Sequence, residues 1–575
     1  MARRKSRRSS KAAPRGAFVL TIAIVALSFV LAVYSQARVQ VTGRKELLDK
    51  AEGAWLLSRE REIPAERGSI YSSDGRVLAQ SQPRYDFWVF YNRVPCTPGF
   101  FMALSEAAGV PESRISAPYR AGKQRTWLEH LDEARYRAVR RVMSDWGADG
   151  VSLAEENGRA YPMREAAVGI VGWMHDGKPK SGVESAFDKE LSGRDGRASG
   201  VVGLNGGFMA ETNRDHGLEH GADVVLTIDS RLQTAATRAI RTAVEKNLAV
   251  SGSAIVLVPS TGDVLAMASW PTFDPVEGPR GGTELMTSYM EDFEPGSTFK
   301  VLTLAKALDA GVVDSSSRVN CSGVFDLGRN RLVRCDLHNG SRAHGEVGLE
   351  RAIGKSCNVS AAKWALGIGR GPMIEYMRRI GLLSKPSINL PGSVSPLFNM
   401  DEYDKERQLA VVGFGQSIAV PPINLAGALA MLANGGEYVA PRIVSHVGGE
   451  RRLPAAPVRV VSPSAAQAVM GYMESVVQSD FGTGKLVAIP GYRIAGKTGT
   501  AQKLGKGGNI SSFVGVFPAE DPKVLILVMV NEPRAGQIYG SLVAGPAFRE
   551  LALAVISRLQ IARSRPSDKT SKEGP

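Results

Sequence analysis

The chain has 575 residues, 43% hydrophobic and 22% charged, which is too long for one core and too apolar to be disordered, so two to four structural units are expected. A formal net charge of +14 would suit a nucleic-acid partner, but half of it comes from Arg3, Arg4, Lys5, Arg7, Arg8, Lys11 and Arg15; the rest is an ordinary solvated surface and argues for no nucleic-acid partner. The four cysteines, Cys96, Cys321, Cys335 and Cys357, contain no CxxC pair, so no metal site is expected; Cys96 reads as a small buried apolar residue, and a disulfide could join Cys321 to Cys335 in an oxidising compartment.

Residues 1–16 form a basic tail. The run AFVLTIAIVALSFVLAVY that follows carries no charge. As a helix its 18 residues would rise about 27 Å, close to the thickness of a bilayer's hydrocarbon core. Residues 17–36 are therefore predicted to be a transmembrane anchor. The flanking basic cluster predicts the N-terminus in the cytoplasm and the rest outside the membrane. The segment SQARVQ offers no A-x-A cleavage site, against a signal peptide. No second run of comparable length follows, so one pass is expected.

Residues 37–216 begin with apolar spacing at Val41, Leu47, Leu48, Leu56 and Leu57, which predicts a helix standing off the membrane over 38–59. Short strand-like runs and turns follow, without a catalytic signature. This reads as a pedestal. A new unit spans 217–560. DVVLTID has strand character, SRLQTAATRAIRTAVEKN has helical spacing, and SGSAIVLVP and VLAMASW flank a TGD turn as a hairpin. Apolar helices are predicted at 301–308, 360–366 and 425–432, and strands at SSFVGVFP and KVLILVMVNEP. Strands at both ends with helices between predict an α/β or α+β architecture, a mixed or antiparallel sheet flanked by helices. The tail 561–575 is polar and predicted to be disordered.

Three short motifs in this unit carry chemistry. In Glu294-Pro-Gly-Ser297-Thr-Phe-Lys300, Pro295 and Gly296 mark a turn and Ser297 is expected to open a helix. Lys300 lies one turn along the same face. A serine hydroxyl needs an adjacent base to become a nucleophile, and a lysine near a positive helix end in a dry cleft loses its proton more readily. The second motif, Ser356-Cys357-Asn358, precedes a helix; its hydroxyl can relay a proton and its amide can hold a peptide carbonyl. The third, Lys497-Thr498-Gly499-Thr500, pairs a cation and hydroxyls suited to a carboxylate with a glycine that permits close approach. Taken alone, each has a plain structural explanation: a helix cap, a second cap, and a turn between strands. GYRIAGKT (491–498) also satisfies the Walker A pattern. GTAQKLGKGGN after it lacks helical periodicity, so a phosphate-binding loop is rejected.

In this order the three motifs match S-x-x-K, S-D-N and K-T-G, with Cys357 standing where the middle motif has aspartate. Four other groups of segments extend the match: AERGSIYSSDGRVLAQS (65–81), SGVESAFDKELSGRDG (181–196), VPSTGDVLAMASWPTFDP (258–275), and VGFGQSIAVPPINLAGALAMLANGG (412–436) with SSFVGVFPAEDP (511–522). Together they resemble a class B penicillin-binding protein, a monofunctional D,D-transpeptidase of the cell wall. The resemblance implies that Ser297 attacks the penultimate D-alanine of a stem peptide and Lys300 serves as its base. Ser356 would pass a proton to the leaving nitrogen while Asn358 positions the stem. Lys497 and Thr498 would bind the terminal carboxylate, beside Gly499, and the backbone N–H groups of Ser297 and Thr500 would form the oxyanion hole. It implies no cofactor. Its expected partners are D-Ala-D-Ala stems, β-lactams as covalent inhibitors, a SEDS-type polytopic glycosyltransferase and divisome proteins. The septal branch is expected over the elongation branch. A serine β-lactamase, a D,D-carboxypeptidase and a β-lactam sensor share the motifs, but the anchor and pedestal fit them less well.

Overall fold

The computed structural model describes residues 15–38, 58–202, 208–328, 331–335, 343–398, 404–502 and 507–564. Most of the basic tail, the juxtamembrane helix expected over 38–59 and most of the C-terminal tail lie outside the described residues. The chain divides into two compact units, residues 1–65 with 194–220, and residues 66–193 with 221–575.

The first unit contains helix α1, Arg15–Ala37. Its described apolar side chains, among them Ile22, Val25, Phe29 and Tyr34, are all exposed. The side chains of 15–18 and 21 are outside the description. Among the described residues no helix is long and apolar enough to cross a membrane. The unit also holds a three-stranded antiparallel sheet, in which Gly196–Val202 lies between Ser58–Ile63 and Phe208–His216.

In the second unit, the strand Val77–Phe90 pairs with both Arg125–Leu131 and Val151–Ala160. The sequence suggests only short runs here because Pro83 interrupts the pattern. Alternation appears after it, with Tyr85, Phe87 and Val89 turned into a core with Phe100, Leu104 and Val139. The two-residue strand Ile70–Tyr71 pairs in parallel with Val224–Leu226, which pairs antiparallel with Val444–Val447. The segments flanking residue 217 thus share one mixed sheet.

A second sheet contains β1 (Ser251–Leu257), β2 (Val264–Trp270), β3 (Ala495–Gln502), β4 (Asn509–Phe517) and β5 (Val524–Asn531). It is antiparallel throughout, in the order β2-β1-β5-β4-β3. Successive residues point to opposite faces. Val524, Ile526, Val528 and Val530 of β5 enter one core with helices α2 (Ser230–Lys246) and α7 (Gly545–Leu559); Leu525, Leu527 and Met529 enter another with α3 (Lys300–Asp309), α4 (Asn358–Ile368), α5 (Pro422–Ala433) and α6 (Pro463–Gln478). A strand buried on both faces is apolar almost throughout; all eight residues of β5 are buried and seven are apolar, the exception being Asn531, which bonds Ser251 Oγ. The hairpin, helices and late strands expected from the sequence are all present.

Two ionic clusters fix the ends of this unit. Glu184 is fully buried and accepts from Arg67 Nε and Arg159 Nε, each at 2.7 Å. Arg67 also bonds Asp188 and the Glu184 carbonyl, and Arg159 bonds the Gly68 carbonyl. This ties residues 65–81 to residues 181–196, two segments picked out by the sequence. Asp74 accepts from the backbone and hydroxyl of Ser230. Asp229 caps α2 and bonds Arg558 of α7 at 2.7 Å. Removing one partner of a buried ion pair strands the other charge and typically costs about 3–5 kcal/mol. Glu184→Ala, which strands two guanidinium groups, should lose stability on that scale in denaturant titrations; a loss below about 1 kcal/mol would mean that they behave as surface charges.

Candidate active site

Ser297 does not open an α-helix, as the sequence suggests. It lies in a 3-10 turn, Gly296–Phe299, and α3 starts at Lys300. The cause is Gly296, whose φ is +55°; the chain can take up helical geometry only after that left-handed residue. The turn is clasped by the segment after residue 412. Gly296 N donates to Gly415 O at 2.9 Å, and Ser417 N donates to Glu294 Oε1 at 2.8 Å. Burial raises the pKa of Glu294, and the Ser417 N–H partly opposes it.

The tight turn leaves Ser297 and Lys300 on one face. Lys300 is 1% exposed, and its Nζ donates to Ser297 Oγ at 2.9 Å, to Ser356 Oγ at 3.0 Å and to Ser356 O at 2.6 Å. Ser356 presents both oxygens because its φ is +57°. Such left-handed backbone is strained for a residue with a Cβ and is held in place by its bonds. Two residues on, Asn358 starts α4 and donates through Nδ2 to Arg334 O at 2.8 Å.

The third motif is not a turn. Residues 497–500 lie inside β3, in register with 511–514 of β4. Strand is thus followed by strand, which is incompatible with the strand–loop–helix of a phosphate-binding loop. Lys497 points inward with no exposed surface. Its Nζ donates to Ser356 Oγ at 3.1 Å and Thr498 O at 2.8 Å. Burial first, and the Lys300 ammonium second, push its pKa well below the ordinary 10.5. Thr498 Oγ1 lies 2.9 Å from Thr483 Oγ1. A methyl group at Gly499 would meet Ser512 Oγ and Thr298 Cγ2, so this position is held to glycine first by its partner Ser512 on β4 and then by the serine turn.

Five of the eight sequence-predicted residues, Ser297, Ser356, Asn358, Thr498 and Thr500, line one cleft of about 480 Å³, and the buried Lys300, Lys497 and Gly499 lie directly behind that wall. Thr483, Phe414, Gln416 and Tyr539 also line it. The sequence gives no spacing that would have found them, because they arrive from three separate segments, Phe414 and Gln416 from one and Thr483 and Tyr539 from two others. Chemically, the arrangement holds a serine hydroxyl against an amine that is itself shared with a second hydroxyl.

Comparison with known proteins places this geometry. Residues 252–553 match the penicillin binding protein transpeptidase domain, and residues 62–226 the penicillin-binding protein dimerisation domain. The peptidoglycan D,D-transpeptidase FtsI of Escherichia coli K12 is 30% identical over 535 residues, 89% of this chain and 86% of its own length. The probable peptidoglycan D,D-transpeptidase PenA of Neisseria meningitidis serogroup A is 27% identical, over 90% and 88%. Penicillin binding protein 3 of Mycobacterium tuberculosis, solved with aztreonam, superposes with a TM-score of 0.67 at 25% identity, covering 88% of this chain and 99% of that one. The antiparallel sheet, the clasped serine turn and the two buried lysines thus sit in a chain that belongs to the penicillin-binding protein transpeptidase family, with the dimerisation domain of class B ahead of the catalytic one.

Proposed function

We propose that the protein is a peptidoglycan D,D-transpeptidase that cross-links stem peptides through a serine acyl-enzyme. The observation that carries this reading is the single amine of Lys300 bonded to both Ser297 Oγ and Ser356 Oγ. Lys300 takes the Ser297 proton as Oγ attacks the carbonyl carbon of the penultimate D-alanine. The oxyanion is held by the N–H groups of Ser297 and Thr500. The C–N bond breaks, Ser356 passes a proton to the leaving nitrogen, and terminal D-alanine departs. An amine of a neighbouring stem then attacks the ester, yields its proton to Lys300 and releases Ser297. Asn358 positions the stem. Thr498, with Lys497 behind it, binds the terminal carboxylate, and Gly499 keeps β3 close enough for Thr500 to reach.

We assign 37–216 as the pedestal and 217–560 as the transpeptidase unit. We also assign α1 as the single span, with the N-terminus in the cytoplasm and the catalytic unit outside. The uncharged run 17–34 supports this, with the side chains of 17, 18 and 21 outside the described residues, and the described apolar side chains of α1 are exposed. The assigned role is septal, beside a SEDS-type glycosyltransferase and divisome proteins. The resemblance of the pedestal segments supports it.

The full chain in detergent, incubated with a penicillin, should gain one drug mass in a mass spectrum, and Ser297→Ala should gain none. Recovery of hydrolysed drug without an adduct would instead identify a β-lactamase. Lys300→Met should slow acylation by about 10²–10⁴-fold, the usual contribution of a general base. A second test uses the depressed pKa of Lys497. Between that value and 10.5 the folded chain binds fewer protons than the unfolded one, so this group makes stability rise with pH. A docked carboxylate favours the ammonium and reverses the balance. Binding of a D-Ala-D-Ala peptide to Ser297→Ala should therefore take up protons in that window, read by calorimetry in two buffers. Ser297→Ala/Lys497→Met should lose that uptake; equal heats in both buffers would refute it. A fluorescent fusion should gather at the division site, and one spread along the side wall would move the protein to the elongation branch.

A further inference from the structure

The cysteine spacing predicts no metal site, yet the fold collects three of the four cysteines and one histidine. The ligand atoms of Cys321, Cys335, His344 and Cys357 all lie within 4.8 Å of one another. Cys321 Sγ is 3.5 Å from Cys335 Sγ and 3.5 Å from His344 Nδ1, and Cys335 Sγ is 3.7 Å from Cys357 Sγ. The disulfide considered for Cys321 and Cys335 is not formed; all three cysteines are free, well beyond the roughly 2.05 Å of an S–S bond. A tetrahedron with Zn–S bonds of about 2.3 Å and a Zn–N bond of about 2.0–2.1 Å has edges of about 3.8 Å between sulfurs and 3.5 Å from sulfur to nitrogen. Two of the three separations fall on those edges and the Cys321–Cys335 pair lies about 0.3 Å short of its own; the other three are within 4.8 Å.

The four residues arrive from four places. Cys321 ends the strand Arg318–Cys321, and His344 precedes its partner Gly345–Gly348. Cys335 follows the strand Leu332–Arg334 of a small hairpin enclosed between those two strands. Cys357 caps α4 through its sulfur. Both sheets are two-stranded, and such pairs are marginal without an added tie. Cys321 and Cys357 are buried; Cys335 and His344 are half-buried. Thiolates and an imidazole suit Zn²⁺ and not the oxygen-seeking Mg²⁺ or Ca²⁺. Four protein ligands leave no open position, the mark of a structural and not a catalytic ion.

We propose that Cys321, Cys335, His344 and Cys357 bind one Zn²⁺ ion, and that the ion pins the 318–348 insertion to the turn carrying Ser356 and Asn358. The coupling is short. Cys357 lies between those two residues, and Cys335 follows Arg334, whose carbonyl accepts the Asn358 amide. The ion acts on Ser356 and Asn358 by positioning them; it touches neither Ser297 nor a substrate.

The test uses the full chain purified in detergent with its thiols reduced, supplied with Zn²⁺ and desalted. It should retain about one equivalent. Co²⁺ in its place should give the visible bands of a tetrahedral site and thiolate-to-metal charge transfer, which need no activity to be read. Cys335→Ser and His344→Ala replace half-buried residues, and each should weaken Zn²⁺ binding by more than about 100-fold, beyond what an outer-shell partner carries. Ser297→Ala should retain the ion. Stripping the wild type with a chelator should slow acylation by a penicillin, and added Zn²⁺ should restore it. A reduced chain that retains no zinc would overturn the proposal. So would a Cys335→Ser variant that binds as tightly as the wild type, or a disulfide joining two of the three cysteines in the chain as isolated.

Discussion

Lys300 and Lys497 both reach the hydroxyl of Ser356, at 3.0 and 3.1 Å. Two ammonium groups so close together and shut off from water repel strongly, and one must give up its charge more easily than a free lysine does. That constraint links three separately folded pieces. Lys300 comes from the start of α3, Ser356 from a strained turn, and Lys497 from the middle of β3. A shift of 1 Å in any of them would break one bond and leave a buried charge without its partner. The two-sided core supplies the required stiffness, since β5 is packed on both faces and carries β4 and β3 beside it.

The pedestal segments obey the same logic by a different means. Glu184 is buried with two arginines on it, and each arginine also donates to a backbone carbonyl, Arg67 to Glu184 O and Arg159 to Gly68 O, while Arg67 further bonds Asp188 and Ser192. The carboxylate organises the chain more than it strengthens it, because an apolar replacement of all three groups could be equally stable. What an apolar trio would lack is direction. The fork of a guanidinium accepts few geometries, so Arg67 and Arg159 fix how residues 65–81 lie against 181–196.

Much of this was legible in the sequence wherever one residue type dictated the outcome. β5 was readable because a strand buried on both faces is a nearly unbroken apolar run, here Val524 to Val530. Ser297 and Lys300 were readable because their spacing is local. The strand character of residues 497–500 was hidden. Lys-Thr-Gly-Thr has the composition of a turn, and its place in the sheet depends on β4 and on contact with the Ser297 turn. The 3-10 start was hidden as well, since it follows from the φ of Gly296. The cysteine cluster was invisible because its members stand 14, 9 and 13 residues apart on four elements, and only the tertiary fold brings them together. Thr483 gave no signal at all until β3 was placed beside it.

One more consequence follows from β3 being the last strand of its sheet. A sheet's rim is a row of backbone groups that will pair with any extended chain, including another copy of the same protein. Natural rims discourage such zippering with charges turned inward, with bulges, or with a cover. Here the inward lysine of β3 and the Ser297 turn against Gly499 serve as both deterrents, on the stretch of rim that borders the cleft. The residues of β3 that border the cleft are thus also those that make this rim a poor template for another strand. The shape of the cleft and the protection of the rim therefore cannot be tuned separately on this strand.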